Sequence, residues 1–104
     1  MAFVCYDANM IDDETLLLVG SLSNDLFRVA NLTQRGSTVG ASRFLMEAKR
    51  WAKPLSHKQV DHYIKNIALE VAKDEETKIT MERAEKYLMY GILLQNYSLH
   101  FREY

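Results

Sequence analysis

The sequence predicts an all-α protein: an up-down four-helix bundle preceded by a short apolar N-terminal arm. Apolar residues recur at helical spacing in four segments, and the 104 residues include only one proline and four glycines. The connections between the segments are short, which favours antiparallel neighbours. A chain of this length forms one domain. We therefore expect an arm over residues 1–11 and a single bundle over residues 12–104.

Helix 1 is predicted to begin near Asp12, whose side chain can accept a hydrogen bond from the first free amides of a helix. Ile11 and Leu16 are spaced as a hydrophobic staple around that start. Gly36 is a natural stop, because glycine readily adopts the left-handed conformation that follows a helix. One face of this helix is apolar at helical spacing: Leu18, Leu22, Leu26 and Val29.

Helix 2 is predicted to begin between Ser37 and Ser42 and to end before Pro54, because the residue before a proline avoids the helical region. Helix 3 is predicted to begin at Ser56, which forms a capping box with Gln59. The predicted core stripe of helix 2 is Ala41, Phe44, Leu45, Ala48, Trp51 and Ala52. That of helix 3 is Val60, Tyr63, Ile64, Ile67, Ala68 and Val71.

Helix 4 is predicted to start near Thr80 and to run almost to Tyr104, with two apolar stripes instead of one. The aliphatic stripe is Met81, Ala84, Leu88, Ile92 and Leu99. The aromatic stripe is Tyr87, Tyr90, Leu94, Tyr97, Phe101 and Tyr104. An amphipathic surface helix needs only one apolar stripe to pack on its core. The second stripe should therefore be covered by something else.

We interpret the aromatic stripe as a subunit contact or partner-binding face. Tyrosine combines a large apolar body with a hydroxyl, and tyrosine and phenylalanine are enriched in interface cores. A homodimer is the default, because closed symmetric dimers are the commonest oligomers. The alternative is that helix 4 is the central helix of the bundle and that both stripes are covered within one chain.

A basic face on helix 2 is the second candidate surface. The net charge of the chain is −1, yet residues 35–58 carry six bases and one acid. The residues that could hold a phosphate-bearing ligand or nucleic acid are Arg35, Arg43, Lys49, Arg50 and Lys53. Such binding would depend strongly on salt. The alternative is a solvated helix face, or one that faces the acidic helix 1 of the same or a second chain.

His62 and Lys65 form a His-x-x-Lys pattern. This pattern resembles that of histidine-containing phosphotransfer domains, which are also helical bundles. The resemblance implies a phosphoryl-accepting role for His62, steadied by Lys65. Asn66 stands where that family has glycine, which there leaves room for the docking receiver. Phosphotransfer is therefore a further alternative, and it requires a solvent-exposed imidazole.

No other pattern indicates catalysis. Cys5 is the only cysteine and lies in an apolar run, where the pKa of a thiol rises and the thiol is a poor nucleophile. His57, His62 and His100 do not pair with other residues at a zinc-ligand spacing. We expect a non-enzymatic interaction module, regulatory or adaptor in type, with no cofactor or metal. A single cysteine and the lack of a signal or a long apolar run indicate the cytoplasm.

Overall fold

The computed structural model describes residues 11–74 and 79–102, and every regular element within these ranges is an α-helix. The helices are α1 (Asp13–Gln34), α2 (Thr38–Leu55), α3 (His62–Lys73) and α4 (Met81–Arg102). The predicted all-α bundle is confirmed. The predicted N-terminal arm lies outside the described residues except for Ile11, which is half-buried and packs against the core.

Helix α1 is the centre of the packing, since it contacts α2 and α4 most extensively, while α3 contacts α2 and more loosely α4. The hydroxyl of Ser23 donates to the carbonyl of Gly91, and Leu17 and Leu99 line one groove. Because the earlier residue of α1 meets the later residue of α4, α1 and α4 run antiparallel. The same argument holds for α1 with α2 and for α3 with α4, through the contacts Asp25–Trp51, Arg28–Phe44, Glu70–Tyr90 and Tyr63–Tyr97.

Both predicted ends of helix 1 are confirmed. A carboxylate oxygen of Asp12 accepts a hydrogen bond from the amide of Thr15 at 2.8 Å. The pKa of the Asp12 carboxyl is lowered by a hydrogen bond from the Thr15 side chain and then by this backbone bond, because both stabilise the charged form. At the other end Gly36 has φ +82°, the left-handed conformation that glycine adopts without strain.

The connection between α2 and α3 corrects the sequence prediction. Helix α2 continues through Pro54 to Leu55, and burial of the Leu55 side chain, which is 0% exposed, favours these two additional helical residues. The Ser56 hydroxyl donates to the carbonyl of Lys53 at 2.7 Å, so it caps the end of α2 and not the start of α3. Helix α3 begins at His62, with Asp61 as its N-cap residue.

The core contains the predicted stripes of helices 1 to 3 with few exceptions. Tyr63 is the clearest exception, at 45% exposed, with its ring edge against Tyr97. Phe44 and Trp51 are half-buried at the rim of the core. Within residues 11–74 and 79–102, no helix has the length and hydropathy that a bilayer crossing requires.

Candidate interaction surface on helix α4

The structure places the aromatic stripe of α4 inside the chain's own core. Tyr87 and Leu94 are 0% exposed and Tyr97 is 6% exposed, while Tyr90 and Phe101 are half-buried against the same core. The sixth predicted contact residue, Tyr104, lies outside the described residues. This burial agrees with one part of the alternative, that the aromatic stripe is covered within one chain. The rest of that alternative does not hold, since α1 and not α4 is central and the aliphatic stripe is exposed. The homodimer itself stays a prediction.

The tyrosine hydroxyls of this stripe also bond within the chain. A guanidinium N–H of Arg83 donates to the Tyr87 hydroxyl at 2.8 Å. The Tyr90 hydroxyl donates to a carboxylate oxygen of Glu70 at 2.8 Å. The remaining hydroxyl, that of Tyr97, accepts from the backbone amide of Asp61 at 3.2 Å. Each polar end thus ties α4 to its own first turn, to α3 or to the start of α3, which suits buried tyrosine.

The aliphatic stripe faces outward instead. Met81 is 51% exposed, and Ile92 and Leu99 are each 45% exposed. Met89, which lies beside this stripe, is 53% exposed. Leu88 is half-buried. Only Ala84 of the predicted aliphatic stripe is fully buried, at 0% exposed. We call the following set the outer face of α4: Met81, Glu85, Leu88, Met89, Ile92, Gln95 and Leu99.

Small residues decide which stripe turns inward. Ala84, Gly91 and Ser98 recur every seven residues, and all three are buried. A side-chain carbon added at Gly91 would come within 3.1 Å of the Phe27 ring on α1, so α1 and α4 pack closely there. The large rings of Tyr90 and Tyr97 lie on the side toward α3. This spacing of small residues is visible in the sequence and could have identified the inward face.

A shallow groove of about 220 Å³ borders the outer face, between α1 and the second half of α4. Leu17, which is 58% exposed, forms part of its α1 wall. The lining is Leu17, Gly20, Ser21, Ser23, Asn24, Gln95, Ser98 and Leu99. Leu17 and Leu99 are the large apolar members of this lining, and the residues between them are small or polar.

The basic residues are distributed along α2 and do not converge on one point. Arg43, Arg50 and Lys53 are exposed and Lys49 is half-buried, opposite the core stripe as expected. Arg35 is the C-cap residue of α1, at the opposite end of α2 from Lys53. Since α2 has 18 residues, its length is about 27 Å. Binding of a phosphate-bearing ligand or nucleic acid here stays a prediction.

His62 is exposed, as phosphotransfer would require. It is the first residue of α3, so Lys65 lies in the first turn of the same helix. An exposed imidazole is necessary for phosphotransfer but does not by itself show that His62 accepts a phosphoryl group. Phosphotransfer through His62 therefore stays a prediction.

A buried carboxylate is the feature that the sequence analysis missed. Asp25 on α1 is only 7% exposed, and its carboxylate accepts a hydrogen bond from the Trp51 indole N–H on α2 at 2.9 Å. Burial, and then the negative charge of Glu47, raise the pKa of the Asp25 carboxyl. The sequence pattern placed Trp51 on an apolar stripe and could not predict its polar partner, because Asp25 lies 26 residues earlier in the chain.

The cavity beside Asp25 measures about 190 Å³. At the edge of this cavity, the Arg28 guanidinium lies over the Phe44 ring, 5.1 Å from the ring centroid. The lining contains no histidine that could activate the Ser21 hydroxyl. Its members are Ser21, Asn24, Asp25, Arg28, Phe44, Glu47 and Trp51. We assign this cluster the structural role of joining α1 to α2.

No group of three or more histidine, cysteine or acidic side chains in the described part of the chain is arranged to hold a metal ion. No protein-family model, curated protein or solved structure matches this chain. Among the described residues, half of the exposed large apolar side chains lie on α4.

Proposed function

We propose that the chain is a non-enzymatic protein–protein interaction module, regulatory or adaptor in type, and that its binding surface is the outer face of α4. The observation that carries this proposal is the row of exposed aliphatic side chains along this helix. Among residues 11–74 and 79–102, six of the ten exposed large apolar side chains lie on α4 or beside it on α1: Leu17, Met81, Met89, Ile92, Leu93 and Leu99.

The size of this apolar surface supports the proposal. Each of the six side chains is 36–58% exposed. The largest apolar patch on a monomer is about 300–600 Å² and is often functional, and these partly exposed side chains supply the apolar area for such a patch. Other exposed apolar residues stand alone, such as Met46 among the charges of α2. Isolated exposure of that kind is ordinary.

The chemistry of the outer face also suits a protein partner. Interface cores are depleted of charge and enriched in methionine and aromatic residues. Glu85 is the only charged residue of the outer face. Met81 and Met89 have flexible side chains that adapt to the shape of a partner. A small polar ligand would find no enclosed polar pocket here, since the adjoining groove is shallow.

A photo-crosslinking amino acid placed at position 92 tests the proposal. Ile92 is 45% exposed at the middle of the outer face, and Met46, 69% exposed on α2, is a matched apolar control. On irradiation in cells, the position 92 variant should form covalent protein adducts that the position 46 variant lacks. The masses of the adducts separate a second copy of this chain from another protein.

Two results would contradict the proposed function. One is the absence of any adduct at position 92 in a variant that circular dichroism shows to be folded. The other is an identical set of adducts from positions 92 and 46, since this would show that any exposed apolar residue gives the same background.

A further inference from the structure

We infer that the outer face of α4 binds the same face of a second copy of this chain, with the two α4 helices antiparallel. The two-fold axis would pass between the two helices, at the level of Tyr90 along each of them. The inference rests on the proposed function, because it names the partner of the proposed surface. It adds a register and a symmetry that the proposed function does not contain.

The spacing along the outer face is that of a helix–helix seam. Met81, Glu85, Leu88, Ile92, Gln95 and Leu99 follow one another at alternating steps of four and three residues. This alternation averages 3.5 residues and keeps one row of side chains facing a partner helix. Of the other apolar residues of α4, Ala84, Tyr87, Leu94 and Tyr97 are buried in the chain's own core, whereas Met89 and Leu93 are exposed beside this row. The row and these two neighbours are therefore the surface left for another chain.

The pattern is the same when read in either direction. Met81 and Leu99 each lie nine residues from Tyr90, Glu85 and Gln95 each lie five, and Leu88 and Ile92 each lie two. A two-fold axis brings residue i of one copy to residue j of the other, and j to i. An antiparallel pair centred on Tyr90 therefore places apolar against apolar and polar against polar at every layer.

The polar layers distinguish this arrangement from a parallel one. In the antiparallel pair, the Glu85 carboxylate of each copy faces the Gln95 side-chain amide of the other, which can donate a hydrogen bond to it. In a parallel pair in register, the two Glu85 carboxylates would face each other. Like charges placed opposite each other across an interface are unfavourable, so the antiparallel pair is preferred.

The surface supplies both parts of a dimer interface, an apolar core and a polar rim. A specific interface of standard size buries about 800 Å² on each partner, and the exposed apolar side chains of the outer face would form the core of such an interface. The groove lined by Leu17 adjoins Leu99, where the second copy's Met81 would lie. Polar residues at the edges of α1 and α4 would form the rim.

Cysteine variants test the register in the full chain. In a Cys5→Ser background, Met81→Cys and Leu99→Cys variants are prepared separately, mixed under reducing conditions and then oxidised. Disulfides should form between the two variants and not within either one. Two Met81 positions would lie about 27 Å apart in the antiparallel pair, since a helix rises about 1.5 Å per residue, far beyond disulfide reach. An Arg50→Cys variant on α2 is the control and should form no disulfide with either.

The outcomes separate this inference from the proposed function. A light-scattering mass near twice 12.1 kDa together with mixed disulfides supports the inference. A dimer in which Met81→Cys links to itself overturns the antiparallel register and leaves the proposed function standing. A monomer at every concentration overturns the second copy as partner. The proposed function then depends on whether position 92 forms adducts with a different protein.

Discussion

The burial and hydrogen bonding of Asp25 could not be predicted from its neighbours along the chain. It lies on α1 among serine and asparagine residues, yet it is 7% exposed and accepts a hydrogen bond from Trp51. An acid taken from water prefers its neutral form, and Glu47 adds a like charge, so the pKa of the Asp25 carboxyl is raised. The folded protein therefore holds this proton more tightly than the unfolded chain does.

This raised pKa predicts a pH dependence of stability with a definite sign. Between the ordinary value of 3.8 and the higher folded value, the folded state binds more protons than the unfolded state at this site. The contribution of Asp25 to the free energy of unfolding therefore decreases as pH rises through that window. Urea titrations of the wild type and an Asp25→Asn variant across pH 3 to 7 measure it as the difference between the two curves.

An Asp25→Ala variant is the companion to that measurement. It leaves the Trp51 N–H without its acceptor, which should cost about 1–3 kcal/mol of unfolding free energy at pH 7, whereas Asp25→Asn retains an acceptor. Equal destabilisation by alanine and asparagine would show that the hydrogen bond to Trp51 does not stabilise the fold. A difference curve that rises with pH would contradict the raised pKa.

At the scale of the element, α4 shows that two apolar stripes on one helix are not interchangeable. Ala84, Gly91 and Ser98 are buried and allow α1 to approach, and the aromatic stripe beside them turns inward toward α3. Tyr90 reaches across to Glu70, and Lys86 binds the same carboxylate at 2.5 Å. Burial alone would raise the pKa of the Glu70 carboxyl, but these two bonds outweigh it and lower that pKa.

Introducing a charge into each stripe should give opposite results. Tyr97→Glu places a carboxylate in a site that is 6% exposed, and loss of the ring with burial of the charge should cost about 3–5 kcal/mol of unfolding free energy. Ile92→Glu changes an exposed position, and in dilute solution it should alter that free energy by no more than about 0.5 kcal/mol.

Chemical denaturation of both variants at low protein concentration measures these changes. If Tyr97→Glu were as stable as the wild type, the aromatic stripe would not be part of the hydrophobic core. Its interpretation as a subunit contact or partner-binding face would then be favoured. If Ile92→Glu unfolded the isolated chain, the outer face would be needed for folding of the monomer itself.

At the scale of the whole molecule, a bundle of this size leaves little room for unused apolar surface. The folded state of a domain is more stable than the unfolded state by only about 5–15 kcal/mol. Within the chain, α1 packs against α2 and α4, and neither contact covers the outer face of α4. Covering the outer face of α4 with a second chain would add stability that depends on concentration, because association stabilises the folded state by mass action.

The thermal midpoint of unfolding should therefore rise with protein concentration. Calorimetry or circular dichroism over a 100-fold dilution series should show this rise for the wild type. The Ile92→Glu variant should lose it, since its charge would lie in the seam. A wild-type midpoint that stays constant over the series would contradict self-association in this range, and a persistent rise in Ile92→Glu would place the contact on another surface.

The sequence by itself determined the helical class, the number of helices and most of the inward faces. These follow from local rules that need no knowledge of the fold: the Asp12 cap, the Gly36 stop and the helical spacing of apolar residues on α1 and α3. It also predicted that one stripe of α4 would be left over. The capping box predicted at Ser56 was wrong, because the Ser56 hydroxyl bonds back to the carbonyl of Lys53 and ends α2 instead.

The tertiary structure decided which stripe of α4 is buried, and it decided the partner of Asp25. Both outcomes depend on how closely two helices approach, which is a property of the pair and not of either sequence segment. Gly91 against Phe27 sets that approach for α1 and α4, and the tyrosines then face α3. Because the aromatic side chains fill the chain's own interior, the surface left for a partner is the aliphatic one.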